Sequence, residues 1–582
     1  SFLDDFEVTG LVSRNESKYR RSWEVPYLLE YSSAAQGSPE LYNFYVNSFG
    51  EDMNSDIEDN YQLHLRYEHD FDNFDISALV GGNIRKNSYY RFVNNMDSGN
   101  YQSGGLILPN VYTFSNSREN LTASVIDREK QVNSIYANAS LGYMDMIYLD
   151  ASIRRDWSSA LPSNNNGYTY PSVGGSFIVS ELFDQNDVLT FAKLRGGWAQ
   201  VGDDVDALAL NPAYPLGNDL YNGQVLEYDR AQLINPNIEP AMNTSFEVGM
   251  DLRFLINRLG FNATYYNETR ENEIIPISIS SGTGYTSYLT NAGESEREGL
   301  ELAIDADVIK TDNFRWNILA NWATNNSQIV SLPGDLTTLE PFSGTTGTPA
   351  FGGVNFIHRV GEDWGQLRGR GFVYDDAGNR VIGEDGMFEY QDDVSFGSVL
   401  PDFTGGLVNT LQYKNFSLVA SLDFQKGGKF YSLSEMWGQY SGLTANTAGL
   451  NDRGELQRNA VADNGGVHVV GVDESGNPVD TYVEAYDYHS QFQAGNIAEP
   501  YVHDASYLKL RDVSLSYRIP GNVVSNVFDS ATISVIGRNL WLIAVSSDNT
   551  HEWDPSELSQ RYGENAQLPS TRSIGMNVQL TF

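Results

Sequence analysis

Cysteine is absent from the 582 residues, so the chain has no disulfide, no thiolate metal site and no cysteine nucleophile. Histidine numbers only 7, which leaves few ways to assemble a zinc site. No run of about 18 consecutive apolar residues occurs, and a helical membrane span is thereby excluded. Basic residues are outnumbered: 37 Lys and Arg stand against 76 Asp and Glu, and a formal charge of −39 repels nucleic-acid phosphates. The opening Ser1-Phe2-Leu3-Asp4-Asp5 has neither a basic nor an apolar leader region, so the expectation is a mature or, better, an internal start. Enzyme signatures are missing as well. His551-Glu552-Trp553-Asp554 lacks the second His of a zinc protease motif, and neither a Gly-x-Ser-x-Gly elbow nor a Walker loop is found. Carboxylate pairs are too numerous to single out a glycosidase site. The chain is therefore read as no enzyme, with no catalytic and no metal residues.

What is present is aromatic and turn-rich: Tyr 35, Phe 28, Trp 9 and Gly 53, with Asn, Ser and Thr between short alternating segments. A mean hydropathy of −0.38 does not argue against a membrane location for such a chain. Strands of a transmembrane barrel meet lipid only at every second residue, while lumen and loops stay polar.

The last segment shows this most clearly. Ile574, Met576, Val578, Leu580 and Phe582 alternate with Ser573, Gly575, Asn577, Gln579 and Thr581 up to the final residue. About ten alternating residues suffice for a tilted strand to cross an outer membrane, and a terminal Phe in such a strand resembles the assembly signal of outer-membrane barrels. The same pattern recurs in pairs. Leu407, Asn409, Leu411 and Tyr413 run into Lys414-Asn415 and return as Phe416, Leu418, Ala420, Leu422 and Phe424, which predicts a hairpin. Phe246–Leu252 with Leu259–Tyr265, Leu302–Val308 with Phe314–Trp322, Leu63–Tyr67 with Phe74–Val80, and Ile135–Leu141 with Leu149–Ile153 predict four more.

Long polar segments near 83–130, 202–242, 271–297, 325–403, 427–505 and 542–570 separate the hairpins, so connections alternate short and long. Outer-membrane barrels have this asymmetry, with short periplasmic turns and long outer loops. Counting back to residue 61 predicts about fifteen strands, and the less regular start adds about two, near 1–12 and 22–34. Bacterial single-chain barrels have even strand numbers, so an odd total implies strands missing upstream.

Several stretches, in order, are similar to SusC-type (SusC/RagA-like) TonB-dependent transporters of the Bacteroidota outer membrane. They include Ser152-Ile153-Arg154-Arg155-Asp156-Trp157, Tyr170-Pro171-Ser172-Val173-Gly174-Gly175, and Lys193-Leu194-Arg195-Gly196-Gly197-Trp198 through Gly202-Asp203. Asn235-Pro236-Asn237-Ile238-Glu239-Pro240, Asn291-Ala292-Gly293 and Glu298-Gly299-Leu300-Glu301 follow. Pro401-Asp402-Phe403-Thr404-Gly405-Gly406, Asp504-Ala505-Ser506-Tyr507-Leu508-Lys509-Leu510-Arg511, Gly537-Arg538-Asn539-Leu540 and Asp554-Pro555 carry the resemblance over roughly residues 130–582. Physically these motifs read as architecture: Gly at bends and close approaches, Asn-Pro and Asp-Pro at turns, aromatics at the membrane interface.

The resemblance implies an all-β fold, a transmembrane antiparallel barrel of about 22 strands in an intact member, of which this chain supplies about 15–17 as its C-terminal part. The lumen plug, the N-terminal domain and the TonB box have no counterpart in residues 1–582 and are expected upstream. The function implied is import of oligosaccharides or oligopeptides, glycan import being the commoner case. Implied partners are a SusD-like surface lipoprotein, the TonB complex through the N-terminal region, outer-membrane lipid, and a second transporter–lipoprotein pair in a dimer. The alternative is a structural or secretion-associated barrel that binds partners without nutrient transport. No cofactor is expected, with calcium as a lesser alternative where Asp375-Asp376-Ala377-Gly378-Asn379, Gly383-Glu384-Asp385-Gly386 and Asp392-Asp393 occupy a region in which relatives carry a calcium loop. The ligand spacing there is out of register, and ordinary hairpin turns are the first expectation, as for Gly471–Pro478. Tyr214, Tyr221, Trp364, Trp437 and Tyr440 lie in long loops, where they serve loop packing or stack on sugar rings or peptide side chains. Substrate-contacting residues are otherwise unassigned.

Overall fold

A computed structural model describes residues 5–25, 30–33, 42–45, 47–96, 105–118, 120–183, 187–211, 214, 216–222, 224–227, 230–334, 336–340, 353–493, 496–524, 528–560, 563–565 and 567–582. Sixteen strands follow one another as an antiparallel meander: β1 (Phe6–Val25), β2 (Ser48–Asp70), β3 (Phe74–Met96), β4 (Leu121–Tyr143), β5 (Ile147–Ser158), β6 (Gly167–Ile178), β7 (Leu189–Asp203) and β8 (Ala241–Phe254). The second half comprises β9 (Leu259–Ser278), β10 (Ser287–Lys310), β11 (Phe314–Ala323), β12 (Pro401–Tyr413), β13 (Phe416–Gly427), β14 (Tyr507–Ile519), β15 (Ser530–Val545) and β16 (Ser573–Thr581). Two short strands, Gln232–Ile234 and Asn326–Ser331, add to the outer end of β10. This is the all-β barrel wall that the alternation predicts.

The five predicted hairpins form in the expected register, for example Leu65 opposite Val80, Leu141 opposite Leu149, Leu252 opposite Phe261, Ile304 opposite Ala320 and Leu411 opposite Leu418. The start of the chain differs from expectation. One strand, Phe6–Val25, takes in most of the stretch expected near 1–12 and the start of 22–34, whose far end forms a short strand, Glu30–Ser33, paired with Tyr42–Tyr45 in a separate sheet; among the described residues the wall strands number sixteen, so the odd-number argument lapses. Polar residues 14–21 look like a break, yet they pair with the equally polar outer half of β2 through ion pairs Arg14–Asp59 at 3.2 Å and Arg20–Glu51 at 2.6 Å. The same effect shortens two predicted loops. Half of 83–130 belongs to β3 and β4, and most of 271–297 to β9 and β10. Strands β1 to β4, β9 and β10 run for 20 to 24 residues, about twice the length that crosses a bilayer. They rise beyond it as a wall.

Register links the apolar face from strand to strand. Leu65, Val80, Ala137 and Ile153 lie in line on β2 to β5. Leu194, Met250, Ala263, Leu302 and Trp322 do so on β7 to β11, and Leu418, Leu515, Val535 and Met576 on β13 to β16. All five apolar residues predicted at the carboxyl end, Ile574, Met576, Val578, Leu580 and Phe582, are exposed on this face. Aromatic pairs border it at the short-turn rim: Phe6–Tyr67 at 4.9 Å, Phe74–Tyr143 at 4.7 Å and Phe416–Tyr517 at 4.7 Å between ring centroids. Trp322, Phe403 and Phe424 border it at the other rim, with centroids 5.9 and 6.3 Å apart. From Phe416 to Phe424 is ~26 Å along the strand, or ~20 Å once tilted by ~40°, which matches the apolar band of an outer-membrane barrel.

The main hydrophobic core lies outside the barrel wall, in the long loops. Val354, Phe356, Leu367, Phe372, Ile382 and Phe388 from the β11–β12 loop pack with Tyr431, Leu433, Met436, Val469, Val483, Phe492 and Tyr501 from the β13–β14 loop. Helix α1 (Leu433–Tyr440) belongs to this unit, and Ser432 caps it by accepting from the Glu435 N–H at 3.2 Å. A fold with its densest core in loops, on one rim of a two-faced sheet, has its structural investment at the outer mouth.

Candidate functional site

The inner face alternates with the apolar band and is polar. On β4 to β6, Arg154 bonds Asp156 at 2.8 Å and Ser134 at 2.7 Å, and the Tyr170 hydroxyl donates to Asp156 at 2.5 Å. His64 lies 2.7 Å from the Tyr136 hydroxyl. Arg195 donates to Thr264 at 2.6 Å, while Tyr507 and Arg511 both donate to Asp423, at 2.9 and 2.8 Å. Such networks satisfy one another across neighbouring strands and give the wall a polar inner face.

Loops are fastened to this wall by lysines. Lys509 on β14 is 1% exposed and donates to Asp554 at 2.5 Å, Glu557 at 2.9 Å and Ser556 at 3.3 Å, all in the β15–β16 loop. Burial acts to raise the Asp554 carboxyl, but the Lys509 and Ser556 hydrogen bonds outweigh it and hold the group below its ordinary value. Lys130 on β4 repeats the device: it donates to Asp204 at 2.5 Å and to the Val205 carbonyl at 3.0 Å, and Ser158 donates to the same Asp204. The sequence marks Asp554-Pro555 only as a turn, and neither lysine stands out there. The available signal was a lysine at an inner-face position of a strand in a chain so poor in bases.

Motifs distant in sequence meet at this rim. Asn291 accepts from the Glu239 N–H at 3.0 Å and donates to the Glu239 carbonyl at 2.8 Å, joining Asn235–Pro240 to Asn291–Gly293. Ile238 between them is fully buried against Leu161 and Leu289. Gly293 and Gly299 are required for close approach: a Cβ on either would overlap the backbone carbonyl of Ser331 or Thr324, where the chain folds back onto β10.

In the loop unit, Glu564 is fully buried and accepts from Ser432 at 2.9 Å, from Ser434 Oγ at 2.5 Å and from the Ser434 N–H at 3.2 Å, at the N-terminus of α1. Glu435 lies between His503 at 2.7 Å and His551 at 3.2 Å. His358 is packed against Phe356 and Trp364, with ring centroids 5.3 and 5.2 Å away, and burial pushes its imidazole down to about 4.

The acidic segments form hairpin turns. Asp375 Oδ1 accepts from the N–H groups of Ala377 and Asn379 at 2.9 and 2.8 Å, and Asp473 does the same for Ser475 and Asn477. Asn379 and Asn477 side-chain donors hold these two carboxyls below their ordinary values. Among the described residues no group of three His, Asp or Glu is placed to hold a metal ion. Of the five loop aromatics, Trp364 and Trp437 pack against the core, Tyr440 lies 5.7 Å from Trp437, and Tyr214 and Tyr221 are exposed.

An antiparallel meander with an apolar outer band, two aromatic girdles, a polar lumen and long loops on one rim defines a transmembrane barrel of the bacterial outer membrane. The chain belongs to the TonB dependent receptor-like, beta-barrel family, whose model matches residues 4–540. It is 26% identical over 484 residues to TonB-dependent receptor P26 of Formosa agariphila, covering 78% of this chain and 46% of the relative. It is 24% identical over 432 residues to TonB-dependent receptor SusC of Bacteroides thetaiotaomicron, covering 70% and 39%. The chain thus spans less than half the length of these two relatives. Its fold matches the RagAB peptide transporter with a TM-score of 0.73 at 18% identity, over all of this chain and 60% of that one. The SusC-like resemblance seen in the motifs is thereby borne out, and the family is one of receptors, not of enzymes.

Proposed function

We propose that the protein containing this barrel imports oligosaccharides or oligopeptides across the outer membrane with energy delivered through TonB, and that a SusD-like lipoprotein works with it at the cell surface. The observation that carries this reading is the family match over residues 4–540 on a sheet whose inner face is polar and whose loops are fastened over it. SusC and the RagAB peptide transporter, relatives in sequence and in fold, support the SusC-like assignment. Exposed Leu443, Leu450 and Tyr486 on the β13–β14 loop, at 83%, 66% and 76%, offer apolar surface of the kind a partner protein covers.

The test uses the intact gene in its own outer membrane. Uptake of labelled oligosaccharide and oligopeptide pools is compared in cells with and without TonB, and with and without this protein. Uptake that needs both supports import. Uptake unchanged by deletion of either would leave a structural or secretion-associated barrel.

A further inference from the structure

Beyond the apolar band, the inner faces of β2, β3 and β4 carry charge in columns. β2 presents Glu58 and Asp56, and β4 presents Lys130 and Arg128. Between them β3 presents Asn87 and Tyr89, which are neutral. The register places Glu58, Asn87 and Lys130 on one line and Asp56, Tyr89 and Arg128 on the next. All six positions have the opposite facing to Leu63, Val80 and Ile135 of the apolar band, since an odd number of residues separates each from its strand's band residue. With strands ~4.8 Å apart, the acidic and basic columns stand ~10 Å from each other. Arg85, lower on β3, and Asp206, from the loop held by Lys130, complete a recess of ≈ 410 Å³.

Most of this charge is uncommitted. Lys130 is used by Asp204 and Val205, and Glu58 accepts from Asn87 at 3.4 Å. Among the described residues, the side chains of Asp56, Arg85, Arg128 and Asp206 make no hydrogen bond or ion pair. Farther out on the same wall Arg91 on β3 grips Asp52 on β2 through two bonds, at 3.0 and 2.7 Å. In the recess Asn87 and Tyr89 separate the β2 carboxylates Asp56 and Glu58 from Arg128 and Lys130 of β4. A neutral ligand leaves both columns uncompensated, and a polyanion meets Asp56, Glu58 and Asp206. A segment with a cationic and an anionic group along its length answers both.

We infer that this recess is a cargo subsite for chain segments bearing both an ammonium or guanidinium and a carboxylate, so that the cargo class is mixed-charge oligopeptide in preference to neutral or polyanionic oligosaccharide. The inference rests on the import reading for the word cargo. Asp56, Arg85 and Arg128 are exposed, and exposed interactions are screened over a Debye length of ~10 Å at 0.1 M salt, so binding weakens as salt rises.

The test is equilibrium binding to the full-length protein purified in detergent, read by fluorescence anisotropy. Three labelled Gly/Ser decapeptides serve as probes, one with two Lys and two Glu, one uncharged and one with four Glu; maltohexaose is the competitor. The mixed-charge peptide is expected to bind at least ten-fold tighter than the other two, and maltohexaose is expected not to displace it. Asp56→Asn and Arg128→Gln are each expected to weaken the mixed-charge peptide about ten-fold and the uncharged one less than two-fold. Both lie on solvent-facing strand positions, and heat-modifiable migration on gels verifies that the variants remain folded. Equal affinity for all three peptides, absence of binding, or variants that bind like the parent would overturn the subsite. Because no transport step is measured, failure of TonB-dependent uptake with this binding intact would remove the import reading and leave the subsite standing.

Discussion

Replacing Lys509 by Met tests whether the outer mouth is held by buried charge. Lys509 is 1% exposed and is shared by Asp554, Glu557 and Ser556 at 2.5, 2.9 and 3.3 Å. Removing the cation leaves Asp554 buried without its main partner, whereas Glu557 keeps Arg511 at 3.4 Å. Breaking a buried pair from one side costs ~3–5 kcal/mol. The barrel ladder of β14 with β13 and β15 does not depend on this side chain, so the cost falls on the 546–572 loop, which lifts to return Asp554 to water. At ~1.4 kcal/mol per ten-fold, opening increases by roughly 10² to 4 × 10³. Hydrogen–deuterium exchange reads it directly. Amides of Ser556 and Glu557, now bonded to Asp554 at 3.0 and 3.1 Å, should exchange faster by that factor while those of β14 are unchanged. Adding Asp554→Asn removes the orphaned charge and should recover part of the protection. Exchange within about three-fold of the parent would refute the reasoning, because it would place the loop's attachment elsewhere.

Acid should weaken the same attachment. The folded Asp554 carboxyl lies below its ordinary value, so its contribution is complete above the unfolded value near 3.8 and is lost as pH falls through the lower folded value, which exchange at Ser556 should follow. His358 acts in a higher window. Its folded value of about 4 lies below the ordinary 6.5, so loop-unit stability should be full above 6.5, fall between 6.5 and 4 by up to ~3 kcal/mol, and level off below. Fluorescence of the neighbouring Trp364 during urea titration reads this, and a slope unchanged in His358→Asn would count against it. Glu564→Ala should cost the loop unit ~2–4 kcal/mol in the same titration and Glu564→Gln clearly less, because the amide oxygen still accepts from Ser432 and Ser434; equal losses would contradict the cap. Met576→Arg should lower barrel stability by ~2–4 kcal/mol, seen as earlier loss of the heat-modifiable band in urea, while Asn577→Arg on the luminal face costs less. Similar shifts for the two would mean that the faces are assigned wrongly.

The barrel wall was legible because its determinant is local. Period-two alternation fixes which residues face lipid, and Leu411 opposite Leu418 or Leu141 opposite Leu149 follow from turn position alone. The outer halves of β1 to β4 were not legible. There polar residues face polar residues, as in Arg14–Asp59 and Arg20–Glu51, so alternation carries no hydrophobic contrast and a strand looks like a loop. Of the site, the motifs were visible but their partners were not. Asn291 was one residue of the Asn291–Gly293 motif until Glu239 appeared beside it, and Asp554 a residue before proline until Lys509 did.

The sequence by itself determined a transmembrane β-barrel without cysteine chemistry or helical spans, its face assignment, its hairpins and the rim on which its loops gather. Those properties depend on neighbours within about ten residues, where spacing and side-chain polarity are enough. Only the tertiary structure decided that sixteen strands form the wall, that Lys509 and Lys130 fasten loops to the lumen, and that Asp56 and Arg128 face one another across Tyr89. Those facts join residues tens of positions apart. They depend on register across several strands and on burial, and neither is encoded in any one segment.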